Sequence, residues 1–222
     1  MFDPQKLLQQ FLGGDEKSGD GQDRKSASST DKIKWAAMGG LSGLLLGSKS
    51  GRKMGGSTLK MGGLAVVGGL AYKAWQNWQA QQNGKISAPA EQTTFLPDQK
   101  SERDELGLVL LSAMIAAAKS DGHIDATEQK LIFEKIDNGN LSSEEKGFLM
   151  DQLRNPLDIH ALAAKATTQE RATEIYAASV LAIEPDDPNE VDYLNRLANR
   201  LGLEKGLRAS IDTEVKAAMV PA

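Results

Sequence analysis

Residues 106–136 read LGLVLLSAMIAAAKSDGHIDATEQKLIFEKI, and this stretch decides the fold. An apolar, Ala-rich helix is expected up to Lys119. The short acidic turn Asp121-Gly122-His123-Ile124-Asp125 follows, and a second amphipathic helix opens toward Glu128. Runs of alternating β-branched residues are missing, here and along the rest of the chain, so the fold class read from the sequence is all-α.

Three carboxylates, Asp121, Asp125 and Glu128, fall within one turn of each other at the corner. They match the second half of a calcium-binding EF-hand loop, with Gly122 at the sharp turn and Glu128 at its last position. The first half fails, because Ala117 and Lys119 stand where oxygen ligands are needed. What remains is a set of hard oxygen donors suited to Ca2+ or Mg2+ if other acids converge on it. Asp186, Asp187 and Glu190 are the candidates, since Asp187-Pro188-Asn189-Glu190 repeats the same order of apolar helix, acidic turn and D-x-x-E start. The plainer reading makes Asp125 a helix N-cap, with Glu128 favourably placed at the positive helix end.

Working outward toward the C-terminus, the pattern stays helical. Ser101-x-x-Asp104 is expected to start the first long helix, with Leu106, Val109, Leu110, Ala113, Met114 and Ala117 facing inward. Ser142-x-x-Glu145 has capping-box spacing. Asn155-Pro156 predicts a short helix with Leu157, Leu162 and Ala163. Thr168 opens another through Ala172, Ile175, Tyr176, Ser179, Val180 and Ile183. Asp187 caps a helix through Val191, Leu194, Leu197, Ala198 and Leu201, which Gly202 closes. Glu204 to Met219 forms the last helix through Leu207, Ile211 and Val215. About seven such helices can bury a core of their own.

Toward the N-terminus, Phe2, Leu7, Leu8, Phe11 and Leu12 share one face of a short helix, which reads as a frayed end or a docking segment. Asp15 to Asp31 is polar and reads as flexible linker. A Gly-rich apolar region follows. Gly39, Gly43 and Gly47 recur at four-residue spacing, and Gly62-Gly63 and Gly68-Gly69 interrupt the block that ends in Tyr72, Trp75 and Trp78. In water each glycine inside a helix costs about 1 kcal/mol relative to alanine, whereas helices in a bilayer keep their glycines and pack through them. The expectation is therefore membrane association through residues 35–78. It takes the form of one span over Leu59–Trp78, with Lys60 and Lys73 snorkelling, or of two short Gly-lined helices. Gln79 to Lys100 is polar, with Pro89 and Pro97, and reads as a tether. The division is 1–31 N-terminal helix and linker, 32–86 membrane-associated segment, 87–104 polar linker and 105–222 helical domain.

Charge follows the same division. Residues 31–90 carry eight basic side chains and one acid, whereas residues 91–222 carry 14 basic and 24 acidic ones. The basic side chains sit among apolar blocks, which suits lipid head groups and not nucleic acid. The chain has no cysteine and two histidines, which excludes thiolate chemistry and argues against a histidine zinc site. His123 reads as a solvated turn residue and His160 as half-buried on a helix. No Ser/His/Asp arrangement, phosphate loop or Rossmann fingerprint occurs, so no enzyme is expected.

At AAAKSDGHIDATEQKLI the chain resembles the TerB-like family of tellurite-resistance proteins, whose helical domains carry a D-G-x-I-x-x-x-E turn. Its layout is similar to that of the YebE-type bacterial inner-membrane proteins of that superfamily. The resemblance implies duplicated helical units, a stress-response or membrane-signalling role and divalent-ion binding. Asp121, Asp125 and Glu128 match the acidic turn, and Glu184, Asp186, Asp187 and Glu190 match it loosely. The expected protein is a membrane-anchored, non-enzymatic module that binds a protein partner, self-associates through its Gly-rich helices and holds its helical domain in the cytoplasm. A metal-dependent hydrolase using the acidic corner and a soluble adaptor with a Gly-rich linker are the alternatives.

Overall fold

A helix that is buried on every side has no face to offer water and sits at the centre of its fold. Gln169–Ala182 is such a helix, with every residue from Ala172 to Leu181 buried. The computed structural model describes residues 3–11, 62–82, 92–120, 141–183 and 187–219. Among these the helices are α1 (Pro4–Phe11), α2 (Gly62–Gln81), α3 (Gln92–Phe95), α4 (Lys100–Ala118), α5 (Ser143–Arg154), α6 (Ile159–Ala163), α7 (Gln169–Ala182), α8 (Pro188–Arg200) and α9 (Lys205–Met219). No strand occurs among the described residues, and the chain is all-α.

The central helix α7 packs most extensively on α4 and also on α2, α9 and α8. Helix α4 meets it with Leu106, Leu110, Ala113, Met114 and Ala117, all buried, as their spacing predicts. One hydrophobic core runs from Leu7 and Leu8 of α1 through α2, α4 and α7 to Leu207, Ile211 and Val215 of α9. The N-terminal helix is thus docked on its own chain, across α2 and α4. Pro4 seats over Gly107, where an added Cβ would come within 3.1 Å of it. Gln5 Nε2 donates to Asp104 Oδ1 at 3.0 Å, and the Asp3 amide donates to Glu145 Oε1 at 3.1 Å.

Local chemistry sets most helix ends. Ser142 and Glu145 form the reciprocal capping box at the start of α5. Thr168 Oγ1 accepts from the Arg171 amide, and Asp187 Oδ1 accepts from the Asn189 amide. Helix α8 ends in a Schellman motif: Gly202 has φ +65°, its amide bonds to Asn199 O, and the Leu203 amide bonds to Ala198 O. Two expected starts are corrected. Helix α4 begins at Lys100 after Gln99, and Asp104 bonds to Lys100 and Gln5 in place of a cap. Asn155 closes α5, and α6 starts later, capped by Asp158, whose Oδ1 accepts from the Ala161 amide at 2.9 Å. Leu157 is consequently exposed, and so is Val191 on α8.

The bilayer-spanning reading of Leu59–Trp78 finds no support. Among the described residues, no helix is long and apolar enough to cross a membrane. Helix α2 lies against α9, α1 and α7, with Leu64, Val67, Ala71 and Ala74 buried. Trp75 and Trp78 are only 6% exposed and pack edge to face at 5.1 Å, with Phe95 of α3 6.1 Å from Trp75. Gly68 is needed because the Phe95 backbone runs across it; a Cβ there would lie 2.7 Å from Phe95 O. The glycine that suggested close packing between helices in lipid here admits a neighbouring backbone of the same chain. The buried Phe95 and Pro97 also anchor part of the stretch expected to be a polar tether.

Candidate functional site

Of the six carboxylates expected at a metal site, Asp121, Asp125, Glu128 and Asp186 lie outside the described residues, as does His123. Asp187 and Glu190 are described, both at the start of α8. One Asp187 carboxylate oxygen accepts from the Asn189 amide at 2.7 Å, the work of an N-cap. Glu190 is buried in the first turn of the same helix. Among the described residues no three His, Asp or Glu side chains group closely enough to hold an ion.

Lys119, which breaks the EF-hand pattern, has a structural role. Its ammonium reaches the end of α5 and donates to Gln152 O at 2.9 Å and to Asn155 O. A cation there answers both the unpaired carbonyls and the negative end of the helix. Burial holds its pKa below the usual lysine value.

Several charged groups on the central helix were not singled out from the sequence. Glu174 is fully buried, with Oε2 3.0 Å from Arg171 Nη1 and no partner for Oε1. Burial pushes its carboxyl up to about 8; Arg171 opposes the rise and Glu170 adds to it. Tyr176, two residues along and on the opposite side of the helix, donates to Asp212 Oδ1 at 3.1 Å and accepts from Arg208 Nε at 2.9 Å. Burial raises the Tyr176 phenol and the Asp212 carboxyl above their ordinary values. These groups tie α7 to α9. A second set ties α9 to α2: Asn77 Nδ2 and Lys73 Nζ each lie 2.7 Å from a Glu214 oxygen, and Ser210 Oγ donates to Ala74 O.

The groups left open to solvent lie elsewhere. Helices α6 and α8 pack against each other and leave a groove of about 440 Å³, lined by Ile159, His160, Arg196, Asn199 and Arg200. The helical repeat explains the lining. Tyr193, Leu194, Leu197 and Ala198 bury one face of α8, which turns Arg196, Asn199 and Arg200 outward. His160 is exposed, not half-buried as its neighbour Leu162 suggested, and its Nε2 lies 2.9 Å from Arg200 Nη2. The sequence signal was available: Arg196 and Arg200 at i, i+4, opposite an apolar face. Pairing them with His160 needed the tertiary contact between α6 and α8.

Residues 31–215 match the family described as protein of unknown function DUF533, and the chain belongs to that family. An uncharacterised protein encoded in the ampR 5′ region of Yersinia enterocolitica is 29% identical over 107 residues, covering 48% of this chain and 77% of that protein. No solved structure matches the chain.

Proposed function

We propose that this protein is a non-enzymatic, TerB-like helical module of the YebE type, which binds a partner protein through the α6–α8 groove. The supporting observation is the groove itself: an open concavity in which His160 of α6 and Arg196, Asn199 and Arg200 of α8, all exposed, line one surface. The D-G-x-I-x-x-x-E turn at Asp121–Glu128 supports the TerB-like assignment. In this reading the acidic turn accepts Ca2+ or Mg2+, and residues 35–61, basic and Gly-rich, hold the module at a bacterial inner membrane. Helix α2 has its apolar face committed to the core, which in this reading leaves the attachment to residues 35–61.

The test uses the full chain in cells, with a photo-activated crosslinker placed at Asn199 and, as a control, at exposed Lys216 of α9. A discrete adduct from Asn199 and none from Lys216 is expected. Equal labelling from both positions, or none, removes the partner-binding reading. A carbonate wash of the same membranes tests the attachment, and complete release into the supernatant would defeat it.

A further inference from the structure

We propose that the α6–α8 groove is an oxyanion site, taking a carboxylate or phosphate group that the partner protein displays; this rests on the partner-binding reading above. Arg196 and Arg200 stand four residues apart on the outward face of α8 and line the same concavity. At that spacing two side chains on a helix are neighbours, so both guanidiniums can reach one ligand group. A guanidinium offers paired N–H donors in a fixed fork that matches the oxygens of a carboxylate or phosphate.

What engages each arginine now decides whether it is available. Arg200 lies 2.9 Å from His160 Nε2, and a guanidinium can only donate, so the imidazole nitrogen accepts and its own proton sits on Nδ1. That contact steadies Arg200 over α6 without neutralising it, and among the described residues no carboxylate pairs with it. Arg196 lies 3.6 Å from Asp192 Oδ2, with both side chains about two-thirds exposed. An exposed i, i+4 pair of this kind is weak and yields readily to a better-placed anion. Asn199 adds an amide donor to the same lining, and Ile159 lines the groove as a buried apolar side chain.

The setting sharpens the ligand class. Residues 91–222 carry 14 basic and 24 acidic side chains, so the long-range field of this unit repels anions. An anion is held there only by short-range, geometrically matched contacts. A group carried on a partner chain gains further contacts from the rest of the interface, which a free ion lacks.

The experiment follows backbone and arginine Nε–H signals of the ¹⁵N-labelled full chain. The probes are inorganic phosphate, a tri-glutamate peptide and a phosphoserine peptide. Saturable shifts confined to residues 159–160 and 196–200 are expected with at least one peptide, weakened at least tenfold in R196Q/R200Q. Both arginines are exposed, so the double variant should melt within a degree or two of the parent, and Arg200→Lys should restore binding in part only. Saturation that survives R196Q/R200Q, shifts spread over every Lys and Arg, or binding of phosphate with neither peptide would each overturn the proposal. The two readings fail separately. An Asn199 crosslink that persists in R196Q/R200Q keeps the partner and removes the oxyanion, whereas peptide binding without any crosslink does the reverse.

Discussion

Two adjacent glycines of α2 carry opposite expectations. At Gly68 a methyl group would strike Phe95 O at 2.7 Å and crowd the Leu96 side chain, so Gly68→Ala should destabilise by about 1–3 kcal/mol. At Gly69 nothing lies within 4 Å, so Gly69→Ala should stabilise by about 0.5–1 kcal/mol through helix propensity alone. Urea unfolding of the two variants checks this, and equal effects would dissolve the close approach at Gly68. Glu174 gives a pH signature. Its carboxyl is pushed up to about 8 by burial, from an ordinary 4.5. The folded chain therefore keeps a proton that the unfolded chain has lost over that interval. Stability should fall as pH rises from about 4.5 to about 8, by up to about 1.4 kcal/mol per unit from this group. Glu174→Gln imitates the protonated form, so its advantage over the parent should be smallest below pH 4 and reach a few kcal/mol at pH 8. Parallel stability curves for parent and variant would rule that out.

At the scale of elements, capping chemistry was the most legible part of the fold. Ser142, Thr168, Asp187 and Gly202 each do what their residue type and spacing announce, because a cap is decided within four residues of sequence. Ser142→Ala should cost about 1 kcal/mol, and Gly202→Ala, at φ +65°, a comparable amount; thermal melts check both. Asn155-Pro156 and Ser101-x-x-Asp104 misled because competing partners won: Asn155 ends α5, and Asp104 turns to Lys100 and Gln5. Helix α1 shows the limit of local reading. Eight residues are too few to be helical alone in water, so their state depends on α2 and α4, which lie far along the chain. Leu8 is fully buried there, and Leu8→Ala should cost about 2–5 kcal/mol. A loss below 0.5 kcal/mol would mean that α1 is not docked in solution.

At the scale of the whole molecule, the all-α class was readable from periodicity, but the environment of α2 was not. Gly68, Trp75 and Trp78 suit a lipid-facing helix and a helix packed on its own chain alike, and only the positions of Phe95 and α9 reveal the packing. The candidate site divides similarly: Arg196 and Arg200 announce an exposed basic face, while His160 joins them through packing that no local pattern encodes. Replacing residues 32–58 with a Gly/Ser segment of equal length tests the proposed attachment. The same replacement should release the protein from washed membranes; retention in the pellet would place attachment elsewhere. The clamp between α2 and α9, through Asn77, Lys73 and Glu214, also has a consequence for biosynthesis. Helix α2 leaves the ribosome long before its cover exists, and at 5–20 residues per second the wait is on the order of 10 s. During that interval the side of α2 that α9 will cover, with Trp78 facing Gly206, stays open on the nascent chain, a natural point of capture for a chaperone. For a helical protein, closing the fold through contacts 137 residues apart also predicts slower refolding than its secondary structure alone would suggest.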